Sequence, residues 1–174
     1  LVLLGSRSCL SVSGQGYVPA DEPVGQFNVV TVDLSPMRNG VWGDCARTFS
    51  IEDGRCTFEP QAPEIRRGLE SEASLHRAMQ EFAAPDTTFH DLFEFGNVVI
   101  RRLGFENLDC LGNLGHSIVS RREDRQYIEA GNALPLGAVP CFTVEPHIRQ
   151  IGGVWGFKHE EIYYFDNERR LRVL

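Results

Sequence analysis

Apolar positions in this chain fall in short alternating runs towards both ends and in two helical stripes through the middle. Residues 1–13 alternate loosely and read as a strand. Residues 14–25 are rich in Gly, Pro and acid and read as a loop. Residues 27–33 are apolar and β-branched, a strand by propensity. The segment SPMRNG, residues 35–40, predicts a hairpin turn at its Asn39-Gly40 step, with residues 41–49 returning as the partner strand and residues 51–54 turning out of it. Ile65, Leu69, Glu72, Leu75, His76, Met79, Phe82 and Ala83 then follow a helical stripe with one polar lapse, ended by Pro85. Phe89, Leu92, Phe93, Gly96, Val99, Ile100 and Leu103 form a cleaner stripe, capped by Asp86 or Thr87 and closed by Gly104. Short strands are expected around residues 114–119, 141–145, 161–165 and 169–174. Strands, then helices, then strands imply an α+β domain with a curved, mostly antiparallel sheet. The chain shows neither a short internal repeat nor a low-complexity linker.

Composition narrows the field. At 174 residues the chain can bury one proper core, and its 42% hydrophobic and 24% charged content is that of an ordinary soluble protein. A net charge of -7 argues against nucleic acid or an anionic membrane as partner, and the basic pair Arg121-Arg122 is too short to reverse that. The 5 cysteines are odd in number, widely spaced and without a CxxC pair, so reduced thiols in a cytoplasmic protein are expected rather than a disulfide framework or a zinc ribbon. No apolar run approaches a membrane span. The opening LVLLG lacks a basic flank and makes a poor signal peptide. A strand-like start without Met suggests a chain beginning inside a domain, with an N-terminal portion missing.

Five side chains with an affinity for metals occur in the order Asp33, Asp44, His116, Glu145, Glu160, in the contexts VVTVDLSP, GDCARTF, LGHSI, FTVEPHI and FKHEEIYYF. Together they would carry about four negative charges, which cannot be buried side by side without cations. Two divalent ions would neutralise them, and a dinuclear centre points to hydrolysis. If the hairpin closes at Asn39-Gly40, Asp33 and Asp44 lie roughly opposite one another across the ladder, within reach of a shared ion pair. The alternative is a pair of turn or edge aspartates. His116 alone is a weak signal, although Gly115 before it permits close backbone approach. Glu145 ends an apolar run immediately before Pro146, where an unpartnered charge would be costly. Glu161 competes with Glu160 for the same place.

With these residues in order, the chain resembles the pita-bread metallopeptidases: methionine aminopeptidase, aminopeptidase P and prolidase. Asp33 and Asp44 match that family's two aspartates, the second within Asp44-Cys45-Ala46-Arg47-Thr48-Phe49 for its D-x-x-R-T. His116 matches the histidine of Gly-His-Gly, with Ser117 in place of the second glycine. Thr143 and Glu145-Pro146 match Thr-x-Glu-Pro, and Lys158-His159-Glu160-Glu161 matches Arg-x-Glu-Asp. The resemblance implies residues 1–174 as a single catalytic domain of pita-bread fold, a curved sheet covered by helices. It implies that Asp44 and Glu160 bridge two metals, that Asp33 holds one ion, and that His116 and Glu145 complete the other. A water acidified by the two ions would attack, and Glu145 would pass its proton to the leaving amine. The oxygen-rich set suits Mn²⁺, Fe²⁺ or Co²⁺, with Zn²⁺ possible. The implied partner is a small peptide cut near its N-terminus, in the manner of an Xaa-Pro aminopeptidase or dipeptidase, by a chain that could pair as a homodimer.

Two further histidines usual in the family are absent. The first belongs near residues 15–17, where Tyr17 stands, and the second near Glu123. Tyr17 and Glu123 are candidate substitutes. His147 is another, since it would share a face with Glu145 if the strand survives Pro146; a surface loop histidine is the plainer reading. The same departures leave open an interaction module without turnover, or a hydrolase of a small non-peptide C–N bond.

Overall fold

The opening run forms strand β1 (Val2–Leu4) and then tightens into a 3-10 turn, Gly5–Cys9. Gly5 turns the chain at φ 55, so the strand expected over residues 1–13 stops after three positions. The structure, a computed structural model, describes residues 1–12 and 16–174, the Arg122 side chain excepted; Ser13 of the expected strand lies outside the described residues. Strand β2 (Asn28–Leu34) follows, close to expectation. β3 (Met37–Arg38) and β4 (Val41–Trp42) make a minimal hairpin around Asn39 and Gly40, both at positive φ (54 and 77), as a primed turn requires. Among the described residues that hairpin pairs only with itself. The return strand is therefore not continuous over residues 41–49. It breaks at Gly43-Asp44 and resumes as β5 (Cys45–Glu52), in a seven-pair antiparallel ladder with β2. Where an exit was expected, Asp53 (φ 51) and Gly54 (φ 71) turn the chain back as β6 (Arg55–Thr57). The four strands lie in the order β1-β2-β5-β6.

Helix α1 (Pro63–Phe82) begins with a proline in its first turn, where the missing N–H costs nothing. Its buried face carries Ile65, Leu75 and Met79, and also Gly68, Ser71, Glu72 and His76. Helix α2 (Phe89–Leu103) is capped by Thr88, not by Asp86 or Thr87. Thr88 Oγ1 accepts from the Asp91 N–H (3.0 Å) while Asp91 Oδ2 accepts from the Thr88 N–H (3.2 Å), a reciprocal box that the upstream residues cannot form. Gly104, at φ 84, closes the helix as expected.

The chain then forms β7 (Phe105–Asn107), β8 (Phe142–Val144), β9 (His147–Gln150), β10 (Gly156–Lys158), β11 (Glu161–Phe165) and β12 (Leu171–Val173). They pair antiparallel as two three-stranded sheets, β10-β9-β7 and β12-β11-β8. Residues 114–119 do not form the expected strand. Gly115 bends them at φ 147 against the Thr143 carbonyl, and only the single bridges His116–Tyr127 and Ser117–Phe142 remain. The bridge Ala46–Glu160 ties the first sheet to the turn between β10 and β11. The helices close one side over a core that includes Ile65, Leu75, Phe89, Phe142, Phe157 and Tyr163, each such side chain worth roughly 1.5–3 kcal/mol of burial. α1 approaches β10 so closely that a Cβ on Gly68 would stand 2.1 Å from the Phe157 ring. Among the described residues, no helix is long and apolar enough to cross a membrane.

Candidate metal centre

Asp33 lies near the end of β2, where the register sets it opposite Ala46 rather than Asp44. Asp44 occupies the bend before β5, so the two aspartates are not direct cross-strand partners. The bend brings Asp44 inward instead, and Ser35 Oγ donates to its Oδ1 at 2.8 Å. His116 follows the close approach at Gly115. Its N–H donates to Thr143 Oγ1 (3.1 Å), and Nδ1 lies 3.1 Å from the Ser117 carbonyl, so Nδ1–H donates there and Nε2 is left facing the acids. Glu145 stands between β8 and β9, with Thr143 Oγ1 at 3.4 Å from its Oε1.

The D-x-x-R-T run acts as a clasp on the last acid. Glu160 N–H donates to the Ala46 carbonyl at 3.0 Å. Arg47 Nη1 donates to the carbonyls of Ala46 (2.8 Å) and Glu160 (2.6 Å), while its Nη2 pairs with Glu161. Thr48 Oγ1 accepts from the Lys158 N–H (2.8 Å) and donates to the Lys158 carbonyl (3.0 Å). Glu161 is thereby committed to Arg47 and His159, and Glu160 is the acid that turns inward. Behind it, Gln80 donates to the Tyr163 hydroxyl (2.7 Å), which donates to His76 Nδ1 (3.0 Å), while His76 Nε2–H donates to the His159 carbonyl (2.9 Å). This chain of bonds fixes α1 to the segment that carries Glu160.

All five expected ligands converge. His116 Nε2 is 3.6 Å from Asp44 Oδ2 and 3.3 Å from Glu145 Oε1. Asp44, His116 and Glu160 each present a ligand atom, all within 4.8 Å of one another. Asp33 and Glu145 point their Oδ2 and Oε2 at the Lys158 ammonium, at 2.7 and 2.9 Å, with Glu160 Oε2 at 3.9 Å. Glu160 is wholly buried, and neither of its oxygens has a hydrogen-bond partner among the described residues. Burial, then the neighbouring Glu145, raises its carboxyl well above the ordinary range. For Lys158 burial opposes the charge, but Glu145, Glu160 and Asp33 outweigh it and hold the ammonium firmly protonated. For Asp44 burial acts upward, yet the His116 imidazole and the Ser35 hydroxyl prevail and hold it below its usual value. Unpartnered buried carboxyl oxygens are costly, and a divalent cation between Asp44, His116 and Glu160 would satisfy them. A set of hard oxygens with one imidazole fits such an ion.

The centre forms the floor of a cleft of about 500 Å³. Tyr17 lines it, its hydroxyl held by both backbone groups of Val2 at 3.0 Å; Gln15, beside it, lies outside the described residues. Glu123 does not reach the cleft. It sits on the short 3-10 turn Arg122–Asp124, 68% exposed and 3.8 Å from Arg121, so it is not positioned to replace a histidine. His147 lines the cleft, and the expectation of a surface loop is wrong: it is buried on β9. The strand does not survive Pro146, because β8 and β9 belong to different sheets. His147 Nε2–H donates to the Ser8 carbonyl at 2.7 Å, and burial lowers its pKa to about 4. Arg125 was missed from the sequence, as was the inward course of Lys158. The Arg125 guanidinium stacks 4.4 Å over the Trp42 ring, Nη1 lies 3.5 Å from His116 Nε2, and its buried Nε has no partner among the described residues. Within Arg121-Arg122-Glu123-Asp124-Arg125 it reads as one more solvated charge.

Residues 3–167 match metallopeptidase family M24. The chain belongs to that family. Over 146 residues this M24 chain is 28% identical to a methionine aminopeptidase of Chlamydia muridarum (strain MoPn / Nigg), covering 80% of this chain and 46% of that protein. Its backbone matches an X-Pro aminopeptidase from Thermotoga maritima MSB8 with a TM-score of 0.79 at 22% identity, over 99% of this chain and 45% of the other. It matches a prolidase from Thermococcus sibiricus at 0.76 and 19%, over 99% and 43%. The M24 chain thus has the expected pita-bread fold and spans less than half the length of each of these relatives.

Proposed function

We propose that this M24 chain carries out metal-assisted hydrolysis of the amide bond near a peptide's N-terminus, as an Xaa-Pro aminopeptidase or dipeptidase does. Asp33, Asp44, His116, Glu145 and Glu160 would hold a pair of divalent ions: Mn²⁺, Fe²⁺, Co²⁺ or Zn²⁺. The observation that carries the reading is Glu160, buried at the meeting point of these side chains with both oxygens unpartnered among the described residues. When bound, the ions would supply Lewis acidity for the carbonyl and for the attacking water. Glu145, at the cleft wall and 3.3 Å from His116, would move a proton from that water to the leaving amine. Arg125, beside His116, would offer hydrogen bonds to a substrate oxygen where Glu123 cannot.

Metal analysis of protein purified without chelator should give close to two ions per chain. A panel of short X-Pro peptides, assayed with and without Mn²⁺, should show metal-dependent cleavage. Asp44→Ala should lose both the ions and the activity; cleavage at the wild-type rate by that variant would overturn the reading. The tie of His147 to Ser8 and the exposure of Glu123 favour one rival, a binding module without turnover. Two bound ions with no cleavage across the panel would support it.

A further inference from the structure

His147 stands at the cleft wall, yet its imidazole is engaged by the fold itself. Nε2–H donates to the Ser8 carbonyl at 2.7 Å, across 139 positions of the chain. Ser8 is fully buried, and its Oγ accepts from the Gly156 N–H at 2.9 Å. A Cβ on Gly156 would stand 2.2 Å from the Ser8 oxygen and 2.9 Å from His147 Nε2, so only glycine there lets the three meet. Ser8 belongs to the 3-10 turn Gly5–Cys9, and the chain leaves that turn as Leu10, Ser11 and Val12, which line the cleft. A second stretch of lining, Asp109, Cys110, Leu111 and Asn113, starts from the same histidine, because the Leu108 N–H donates to the His147 carbonyl at 2.7 Å. That loop is bonded to itself: Asp109 Oδ1 accepts from the N–H groups of Leu111 (2.9 Å) and Asn113 (3.1 Å). Ser11 Oγ accepts from the Cys110 N–H at 2.9 Å and joins the two stretches into one wall.

We propose that His147 is a positioning residue for the peptide: its side chain fixes Ser8, and through Ser8 the wall of residues 10–12 and 109–113 against which the substrate lies. This rests on the peptidase reading above and adds to it a residue that neither holds an ion nor touches the reacting bond. Leu108 is held by a backbone carbonyl that any residue at position 147 would supply. The Ser8 carbonyl depends on the imidazole N–H. Without the imidazole that carbonyl is a buried acceptor deprived of its donor, which favours release of the turn. The Gly156 and Cys110 N–H groups then lose their hydroxyl acceptors in sequence. The acids below are held by other contacts, Asp44 by Ser35 and Glu145 by Thr143 and Lys158, so the wall loosens over an unchanged centre. A wall that must be ordered on binding weakens affinity and leaves the chemical step alone, so the loss falls on KM.

The test compares wild type with His147→Ala and with His147→Gln, whose amide nitrogen reaches the place of Nε2. Hydrogen exchange of the metal-free chain needs no activity. In His147→Ala the Gly156 and Cys110 amides should exchange about tenfold faster, Leu108 should keep its rate, and His147→Gln should restore the wild-type pattern. Cleavage of an X-Pro peptide with Mn²⁺ should show KM raised about tenfold in His147→Ala with kcat within a fewfold, and KM recovered in His147→Gln. A fall in kcat at unchanged KM, or Gly156 and Cys110 rates that His147→Ala leaves as they were, would overturn the proposal. If His147→Ala does not fold, Ser11→Ala decides, since it keeps the His147–Ser8 bond and removes only the link to Cys110. It should raise KM by a fewfold at the wild-type melting midpoint, and an unchanged KM would overturn the proposal. No cleavage by wild type would overturn the peptidase reading alone, and the exchange rates would still decide whether His147 holds the wall.

Discussion

Glu160→Gln replaces a carboxyl by an amide of nearly the same shape at the most enclosed point of the cluster. Burial and Glu145 hold the wild-type carboxyl above the ordinary range, so in the metal-free chain the exchange near neutral pH is of one uncharged group for another. A volume-conserving change of that kind should cost under about 1.5 kcal/mol. The metal-loaded chain is different, because the amide lacks the charge that the ions would use. An ion present at a hundred times its dissociation constant stabilises the folded state by about 2.7 kcal/mol. For a chain of this size each kcal/mol moves the melting temperature by about 2–4 °C, so Mn²⁺ should raise the wild-type midpoint by roughly 5–11 °C and Glu160→Gln by far less.

The pH dependence of the metal-free proteins gives an independent reading. Glu160 has a folded pKa raised above its ordinary value of 4.5. Its contribution is therefore fully present below pH 4.5 and is lost as pH rises towards the folded value, at up to about 1.4 kcal/mol per pH unit. Glu160→Gln lacks that decline. Melting curves from pH 5 to 9, with and without Mn²⁺, should show the stripped variant gaining on stripped wild type as pH rises while losing the metal-induced shift. Parallel pH profiles, or an equal Mn²⁺ shift in both proteins, would refute the assignment of Glu160 as a buried, metal-directed acid.

Gly68→Ala should destabilise the chain by about 1–3 kcal/mol, because its Cβ would meet the Phe157 ring at 2.1 Å; urea denaturation reads this directly. His76, whose pKa burial lowers to about 3 from 6.5, contributes stability that is present above pH 6.5 and lost as pH falls towards 3. Acid unfolding of wild type should accordingly be steeper than that of His76→Gln in that window, and equal steepness would contradict the assignment. Arg125→Ala should lower kcat/KM by about tenfold or more, the loss of a charged hydrogen bond, with the melting midpoint nearly unchanged. Glu123→Gln should leave kcat and KM as they are, because the side chain stands in solvent outside the cleft.

What the residues disclose in advance follows from the range over which each feature is decided. The two helices were legible because their signals are local: a periodic apolar face in each, and Gly104 past the end of the second. Even there the cap fell on Thr88, since the decisive partner, Asp91, lies three residues further on. The Asn39-Gly40 hairpin was equally local, and Asp53-Gly54 carried the same chemistry and could have been read the same way. The pairing of Asp33 could not, because it depends on where β5 resumes after its bend, and that is fixed by the whole β2–β5 ladder. β7, β9 and β10 are three or four residues long, too short for alternation to show.

The five candidate ligands stood out because each is an acid or imidazole set beside apolar or glycine positions, where its cost demands a partner. Lys158 and Arg125 gave no such warning. A lysine or an arginine among other charges is ordinarily solvated, and only contacts across the fold show otherwise: Lys158 meets Asp33 at a separation of 125 residues. Glu123 and Arg125 make the point most sharply. They are two positions apart in one charged run, yet one faces water and the other stacks on Trp42 above the acids. Arg121 ties to Asp124 and turns that short segment outward, while the Trp42 ring, delivered by a hairpin more than eighty positions earlier, gives Arg125 a surface to cover. Charge at a given position was therefore readable, and its direction was set by tertiary contacts that a run of like side chains does not encode.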